Sequence, residues 1–191
     1  MPQYLIIFAN PNHAGHGGYI LNKLKEKLAA AKHPYSVLDL YQEKYNPVLK
    51  LEECAKGLNR LICPDTLVYQ EKIKKADKLI FIYPIWWQYM PAILKGFLDR
   101  TLTSGFAFKY SLGRPQALLR GKRAAIFCST ASTNKYIFKF KQNSANNFLS
   151  RNILNYCGIS TKNFILANAR KLEDNKLSLE KIANRIITYL K

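Results

Sequence analysis

Short apolar runs alternate along the chain with segments in which apolar residues recur at helical spacing. Five runs of the first kind predict strands buried on both faces: "YLIIFAN" (4–10), "YSVLDL" (35–40), "KLIFIYP" (78–84), "RAAIFCST" (123–130) and "NFILANA" (163–169). Helices are predicted at "YILNKLKEKLAAAK" (19–32), "TLVYQEKIKKA" (66–76), "PAILKGFLDRTL" (91–102), "NNFLSRNILNYCG" (146–158) and "SLEKIANRIITYLK" (178–191). This alternation predicts an α/β fold, with a parallel sheet covered by helices on both faces.

Particular residues mark where these elements begin and end. Pro91 stands in the first turn of its helix, where its missing N–H costs nothing. Gly158 is expected to end the fourth helix, and Ser178 is the predicted N-cap of the last one. The pattern weakens over 41–67, which predicts a long excursion with a short helix. Residues 103–120 predict a long loop or a hairpin.

Length and composition limit the class of protein. The 191 residues, 48% of them apolar, predict one domain spanning 1–191 with a full hydrophobic core. The four cysteines are widely spread and form no C-x-x-C pair, which argues against a zinc site or a disulfide framework and favours a cytoplasmic setting. The N-terminus lacks the features of a signal peptide, and no apolar run is long enough to span a membrane.

The formal net charge of +18 favours anionic ligands such as nucleic acid, acidic lipid or a phosphorylated small molecule. It also suits a solvated basic surface with no specific partner. No stretch concentrates the charge as a tail would, and no aromatic-basic signature of RNA recognition is present. Nucleic acid is therefore not expected as a partner, and the charge alone does not name one.

Ligands of an open α/β sheet bind at the carboxyl ends of the strands, which directs attention to the loops after the first, third and fourth strands. The first loop, "NPNHAGHGGY", is neither G-x-G-x-x-G nor a P-loop. Its glycines before a helix can still let the backbone approach a phosphate, with His16 as a further donor. An ordinary flexible turn is the alternative. His13 and His16 have no Asp or Cys nearby in sequence, so no metal site is expected.

The loop after the third strand contains the only tryptophans of the chain, Trp86 and Trp87. Neighbouring residues that leave a strand point in different directions, so the two cannot both enter the same core, and one core Trp is expected. The other needs a different surface, such as a flat ring or a partner subunit. The loop after the fourth strand, "STASTNKY", offers five hydroxyl groups in eight residues. A phosphate cradle, aromatic rings and hydroxyl groups together favour a flavin.

These residues resemble the flavodoxin-like NAD(P)H:quinone oxidoreductases, the family that includes DT-diaphorase and the bacterial modulator of drug activity B. The longest match is "YPIWWQYMPAILKGFLDRTLTSGFAFKY" (83–110), and shorter ones are "LDLYQEKYNPVL" (38–49) and "GHGGYILN" (15–22). The resemblance implies a flavodoxin-like three-layer sandwich with a five-stranded parallel sheet in the order 2-1-3-4-5. It also implies a homodimer that carries a hydride from NAD(P)H through a flavin to a quinone in a two-electron, ping-pong reaction.

The resemblance also implies roles for particular residues. The cofactor-binding residues would be His16, Gly17, Gly18, Tyr19 and Asn22 at the phosphates, Pro84, Ile85, Trp86 and Trp87 along the ring, and Thr130, Ala131 and Ser132 at its polar edge. Phe108 and Tyr110 would reach over the partner subunit's pocket and contact the substrate. Tyr136 is the implied catalytic residue.

Two features depart from the family pattern. The fourth loop reads "STAS" where many members have T-T-G-G, and the chain has no histidine after His33 to assist proton transfer. Proton delivery would then fall to Tyr136, the flavin itself or water. FAD is the expected flavin and FMN the alternative, while NADH and NADPH are both open. A flavoprotein subunit that regulates a membrane transport system is the alternative function.

Overall fold

The computed structural model describes residues 1–54, 62–133 and 148–191. Its strands are β1 (Tyr4–Phe8), β2 (Tyr35–Asp39), β3 (Lys78–Pro84), β4 (Phe108–Ser111), β5 (Arg114–Ala117), β6 (Arg123–Ser129) and β7 (Ser160–Leu166). Five of them form a parallel sheet in the order β2-β1-β3-β6-β7, and β4 and β5 form a separate antiparallel hairpin. Counted along the sheet strands alone, this order is 2-1-3-4-5, so the predicted topology is confirmed.

Helices cover both faces of the sheet. The α-helices are α1 (His16–Ala30), α2 (Pro64–Lys75), α3 (Ala92–Thr101) and α4 (Lys176–Leu190), and a π-helix spans Phe148–Leu154. Alternate residues of β1 point to opposite faces: Ile6 and Phe8 pack in the core beneath α1 and α4, and Leu5 and Ile7 pack in the core beneath α2, α3 and the π-helix. The sheet therefore has a separate hydrophobic core on each side.

Three helices begin earlier than predicted, and α2 is one of them, since it begins at Pro64 and not at Thr66. α1 begins at His16, three residues before the apolar periodicity starts, because Gly17 and Gly18 form its first turn in spite of their low helix propensity. α4 begins at Lys176, directly after a 3-10 turn at Glu173–Asn175. The prediction that Ser178 caps this helix is wrong, since Asn175 holds the N-cap position and Ser178 lies inside the first turn.

The region before β7 also differs from the prediction. β7 begins at Ser160, three residues before the expected start. The apolar pattern did not mark this start because the first residues of the strand are polar. Polar residues fit there because β7 is an edge strand that pairs only with β6. The preceding π-helix ends at Leu154, and the chain then turns through Gly158, whose φ of +88° is a left-handed conformation that favours glycine.

A buried ion cluster attaches the excursion between β2 and β3 to α3. The Arg100 Nε donates to Glu53 Oε1 at 3.0 Å, and its two terminal nitrogens donate to the Asn46 carbonyl at 2.7 Å and to Asp65 Oδ1 at 3.3 Å. Arg100 and Glu53 are each 3% exposed. Burial by itself raises the pKa of Glu53, but the Lys50 N–H and the Arg100 guanidinium outweigh it and hold that pKa below its ordinary value.

Candidate functional site

The hydrogen-bond pattern of the sheet continues past the strand ends and joins the three loops singled out in the sequence. The Ala9 N–H donates to the Ile82 carbonyl at 2.9 Å, the Ile85 N–H donates to the Ser129 carbonyl at 2.8 Å, and the Thr130 N–H donates to the Leu166 carbonyl at 2.9 Å. Residues 9–15, 85–90 and 130–133 therefore lie side by side at one edge of the sheet, where a parallel α/β sheet binds its ligands.

The beginning of α1 is suited to an anion. Its first intrahelical bond runs from the Tyr19 N–H to the Gly15 carbonyl, so the N–H groups before Tyr19 have no partner within the helix. No side chain caps this end, and the first turn contains no acidic residue. These free donors and the helix dipole make the position attractive to a phosphate.

Gly17 and Gly18 are buried where the loop before α1 packs onto the helix. A Cβ at Gly17 would lie 2.6 Å from the Asn10 Nδ2, and a Cβ at Gly18 would collide with the carbonyl oxygen of His13. The space beside both glycines is therefore filled by this loop. Their small size lets the loop approach the helix, and the approach of their backbone to a phosphate stays a prediction.

The side chains of His16 and Tyr19 contact the segment that follows β7. His16 Nε2 lies 3.3 Å from the Lys171 carbonyl oxygen and 3.4 Å from the Asn175 Nδ2. The Tyr19 hydroxyl donates to Glu180 Oε1 at 3.1 Å. Asn22, one turn further along α1, is exposed. The roles of all three at a phosphate remain predictions, and the contacts of His16 and Tyr19 hold the start of α1 against the start of α4.

Residues 86–89 form a tight turn in an unusual conformation. The Trp86 N–H donates to the Tyr89 carbonyl at 3.0 Å, and the Tyr89 N–H donates to the Trp86 carbonyl at 2.8 Å. Between them, Trp87 and Gln88 have φ values of 48° and 61°. A turn with two central residues at positive φ is type I′, which strongly prefers Asn-Gly, so this one holds strain of about 1–3 kcal/mol per residue.

Neither tryptophan of this turn belongs to the core. Trp86 is 44% exposed and Trp87 is 101% exposed, so the two do not share a core, and the expectation that one of them would be a core residue is wrong. Pro84 and Ile85 are half-buried, and the Ile85 N–H is already bonded to Ser129. Among the described residues we find no hydrogen-bond partner for the N–H groups of Trp87 and Gln88, which makes them the backbone donors that this loop can offer to a ligand.

The loop after β6 is held from the side of β7. The Asn168 N–H donates to the Ser132 carbonyl at 3.0 Å, and the Ala169 N–H donates to the Thr130 carbonyl at 2.9 Å. The Thr130 hydroxyl accepts from the Ser132 N–H at 3.2 Å. Ala131 and Ser132 are exposed at the sheet edge, and Tyr136 lies outside the described residues.

Phe108 and Tyr110 belong to an aromatic cluster away from that edge. Their ring centroids are 5.9 Å apart, and the Tyr156 ring lies 5.2 Å from Phe108 and donates its hydroxyl to Tyr110 at 3.2 Å. The hydrogen bond raises the pKa of Tyr156. Beside the cluster, the Leu119 N–H donates to the carbonyl of Cys157, three residues before β7 begins. The hairpin therefore ends near the amino ends of the strands, and the structure does not bring Phe108 and Tyr110 to the loops of the same chain.

Sequence reasoning missed two further features. His13 pairs with Asp39 at 2.8 Å, which joins the loop after β1 to the end of β2; the only signal was the Asp of the D-L-Y match. Tyr156 was read only as part of a helix, and no sequence signal relates it to Phe108 and Tyr110, since Tyr110 lies 46 positions away. Among the described residues no three His, Cys, Asp or Glu side chains are grouped as metal ligands would be.

Comparison with known proteins assigns the chain to a family. Residues 2–190 match a family profile described as a flavodoxin-like fold. The chain belongs to this family. The flavodoxin-like chain is 36% identical over 175 residues to an uncharacterized NAD(P)H oxidoreductase of Haemophilus influenzae, across 91% of this chain and 87% of that protein.

Two more relatives extend the comparison over nearly the whole flavodoxin-like chain. An FMN-dependent NADH:quinone oxidoreductase of Caldicellulosiruptor bescii is 30% identical, across 95% of this chain and 92% of that protein. The solved structure of an NAD(P)H:quinone oxidoreductase from Methanothermobacter marburgensis superposes with a TM-score of 0.83 and 26% identity, covering 97% of this chain and 98% of the other. In the part of the chain that the structure describes, none of the helices has the length and apolarity needed to cross a membrane.

Proposed function

We propose that this protein is a flavin-dependent NAD(P)H:quinone oxidoreductase. The observation that carries the proposal is the junction of three loops at the carboxyl edge of the sheet, where an uncapped helix start lies beside two exposed tryptophans and a hydroxyl-rich loop. Two relatives that match this chain over nearly their whole length are named as quinone oxidoreductases, which supports the proposal. NAD(P)H and the quinone would bind in turn at the same face, which gives a ping-pong reaction.

The residues at the edge divide into three groups by what they can offer. The free N–H groups of His16, Gly17 and Gly18 at the start of α1 would hold the phosphates, and Tyr19 and Asn22 would meet them through their side chains. The segment from Pro84 to Trp87 would lie along the flat ring, and Thr130, Ala131 and Ser132 would meet its polar edge. The flavin, when bound, supplies the hydride chemistry, and the protein supplies binding, orientation and exclusion of water.

The two tryptophans would do most to exclude water. An indole ring combines a large apolar face with one N–H donor, which suits a surface that meets a flat heteroaromatic ring. The chain has no histidine after His33, so protons would come from Tyr136, from the flavin or from water. Phe108 and Tyr110 would serve the pocket of a second subunit in a homodimer, since their own chain keeps them away from its loops.

The cofactor is a flavin mononucleotide in our proposal. The sequence favoured FAD with FMN as the alternative, but the relative that matches 95% of this chain is named FMN-dependent. Release of the bound flavin by denaturation, followed by mass spectrometry, decides between the two. The purified protein should also oxidise NAD(P)H only when a quinone is added. A protein that binds neither FMN nor FAD on reconstitution would refute the proposal.

A further inference from the structure

The loop after β1 contains a contact between an imidazole and a carboxylate. The Nε2 of His13 lies 2.8 Å from the Oδ2 of Asp39, and the imidazole packs against the Phe8 ring with 4.8 Å between centroids. The Asp39 side chain is 9% exposed and that of His13 is 42% exposed. The pair thus joins a half-exposed loop residue to a buried carboxylate.

Asp39 is the fixed member of the pair. It ends β2 and lies opposite Phe8 in the sheet register. Its Oδ1 accepts the N–H groups of Tyr41 at 3.1 Å and Gln42 at 3.0 Å, which leaves Oδ2 for His13. Because strand pairing and two backbone donors hold the carboxylate, the contact determines where His13 lies.

The position of His13 in turn affects the start of α1. The His13 carbonyl fills the space beside Gly18, so the loop and the first helical turn are in direct contact. Two Asn side chains bond the backbone on either side of His13. The Asn12 N–H donates to the Asn10 Oδ1, and the Ala14 N–H donates to the Asn12 Oδ1, each at 2.9 Å. A shift of His13 would therefore move the loop that surrounds the free N–H groups of α1.

We propose that His13, held by Asp39, is a positioning residue for the phosphate of the flavin. The inference rests on the proposed function, because it requires that a flavin phosphate binds at the start of α1. His13 orders the loop before the cofactor arrives, so less ordering is left for the binding step. It acts on cofactor affinity and has no part in the hydride transfer.

The test is an FMN titration of the apo-protein, followed by flavin fluorescence, with His13→Ala, His13→Gln and a control. His13→Ala should weaken FMN binding about tenfold, the loss expected for one partly exposed charge-assisted hydrogen bond, while His13→Gln, which keeps a donor, should stay within about threefold of the wild type. The turnover number at saturating FMN should not change. Asp39→Asn should add little in the His13→Ala background, because the pair is already broken.

His33→Ala is the matched control, since His33 packs on Tyr4, which lies at the opposite end of β1 from Phe8, and its loss should leave FMN affinity unchanged. Unchanged affinity in His13→Ala would overturn the inference. A lower turnover number at saturating FMN would also overturn it, because His13 would then act in the chemistry. Equal losses of FMN affinity in His13→Ala and His13→Gln, accompanied by equal losses of apo-protein stability, would show that His13 acts only in folding and would overturn the inference. A wild-type protein that binds no flavin would instead refute the proposed function itself.

Discussion

At the scale of single residues, the turn at Trp87 and Gln88 connects sequence to function most directly. Two non-glycine residues at positive φ are costly, and strain of this kind is retained where the surroundings enforce it, often at functional sites. The sequence alone indicated that the two tryptophans face different surroundings. It could not indicate the turn type, because Trp-Gln is not a combination that favours type I′.

Replacing Trp87 by Ala should separate binding from folding. Because the side chain is fully exposed, the free energy of unfolding should change by no more than about 0.5 kcal/mol. FMN affinity should fall about tenfold, through the loss of aromatic contact area. Chemical denaturation and FMN titration measure the two effects, with Leu177→Ala as an exposed control on α4. A loss of about 3–5 kcal/mol with unchanged flavin binding would identify Trp87 as a core residue.

Replacing Gln88 by Gly should relieve strain. Glycine adopts positive φ without steric cost, so the free energy of unfolding should rise by up to about 1 kcal/mol. The matched control is Gln116→Gly in β5, an exposed strand position where glycine should cost about 0.5–1 kcal/mol. Both are read from denaturant midpoints. Destabilisation by Gln88→Gly would show that the side chain makes contacts that outweigh the strain.

At the scale of elements, most strands and helices could be predicted because their cores are strongly apolar. "KLIFIYP" coincides with β3 to the residue. The start of β7 was predicted three residues late, because this edge strand opens with the polar residues Ser160 and Thr161. The starts of helices were harder to predict. Gly17 and Gly18 have low helix propensity, and they belong to α1 because they pack against the loop before it. The Arg100 cluster was not visible in the sequence because its partners lie 35 to 54 positions away.

Removing Arg100 should detach the excursion from α3. Arg100→Ala leaves Glu53 buried without its counter-charge, so the protein should lose about 3–5 kcal/mol of stability. The double variant Arg100→Met with Glu53→Met should recover much of that loss, because it removes both buried charges. Urea denaturation of the three proteins is the measurement. A loss below about 1 kcal/mol in Arg100→Ala would show that the cluster contributes little.

The same cluster predicts sensitivity to acid. The folded protein holds the pKa of Glu53 below the ordinary 4.5, so ionised Glu53 stabilises the fold above that pH, and the contribution is lost as the pH falls through the lower folded value. The free energy of unfolding should therefore decrease below pH 4.5 more steeply in the wild type than in Glu53→Gln. Equal slopes for the two proteins would contradict this assignment.

At the scale of the whole molecule, the exposed hairpin is the feature that supports the proposed second subunit. Tyr110 is 64% exposed and Leu112, at the hairpin tip, is 100% exposed, so both are accessible to another subunit. The fold and its topology could be predicted from the whole chain, since the pattern of strands and helices extends from end to end. Assembly could be expected only from the family resemblance, because no pattern within one chain reports a partner.

A homodimer should have about twice the chain mass of 22.0 kDa in light scattering. Leu112→Asp should shift the protein toward the monomer, since a charge at the hairpin tip is unfavourable in an apolar interface. Leu177→Asp makes the same substitution at an exposed leucine of α4 and should leave the mass of the particle in solution unchanged. A monomeric wild type with bound flavin would remove the role proposed for Phe108 and Tyr110.

The most direct test of the central claim is the visible absorbance of the flavin-loaded protein, followed without oxygen during two additions. NAD(P)H should bleach the flavin band, and a quinone added after the nicotinamide has been removed should restore it, because the two substrates react in turn at one site. A band that NAD(P)H does not bleach, or that a quinone does not restore, would contradict the assignment of this chain as a quinone oxidoreductase.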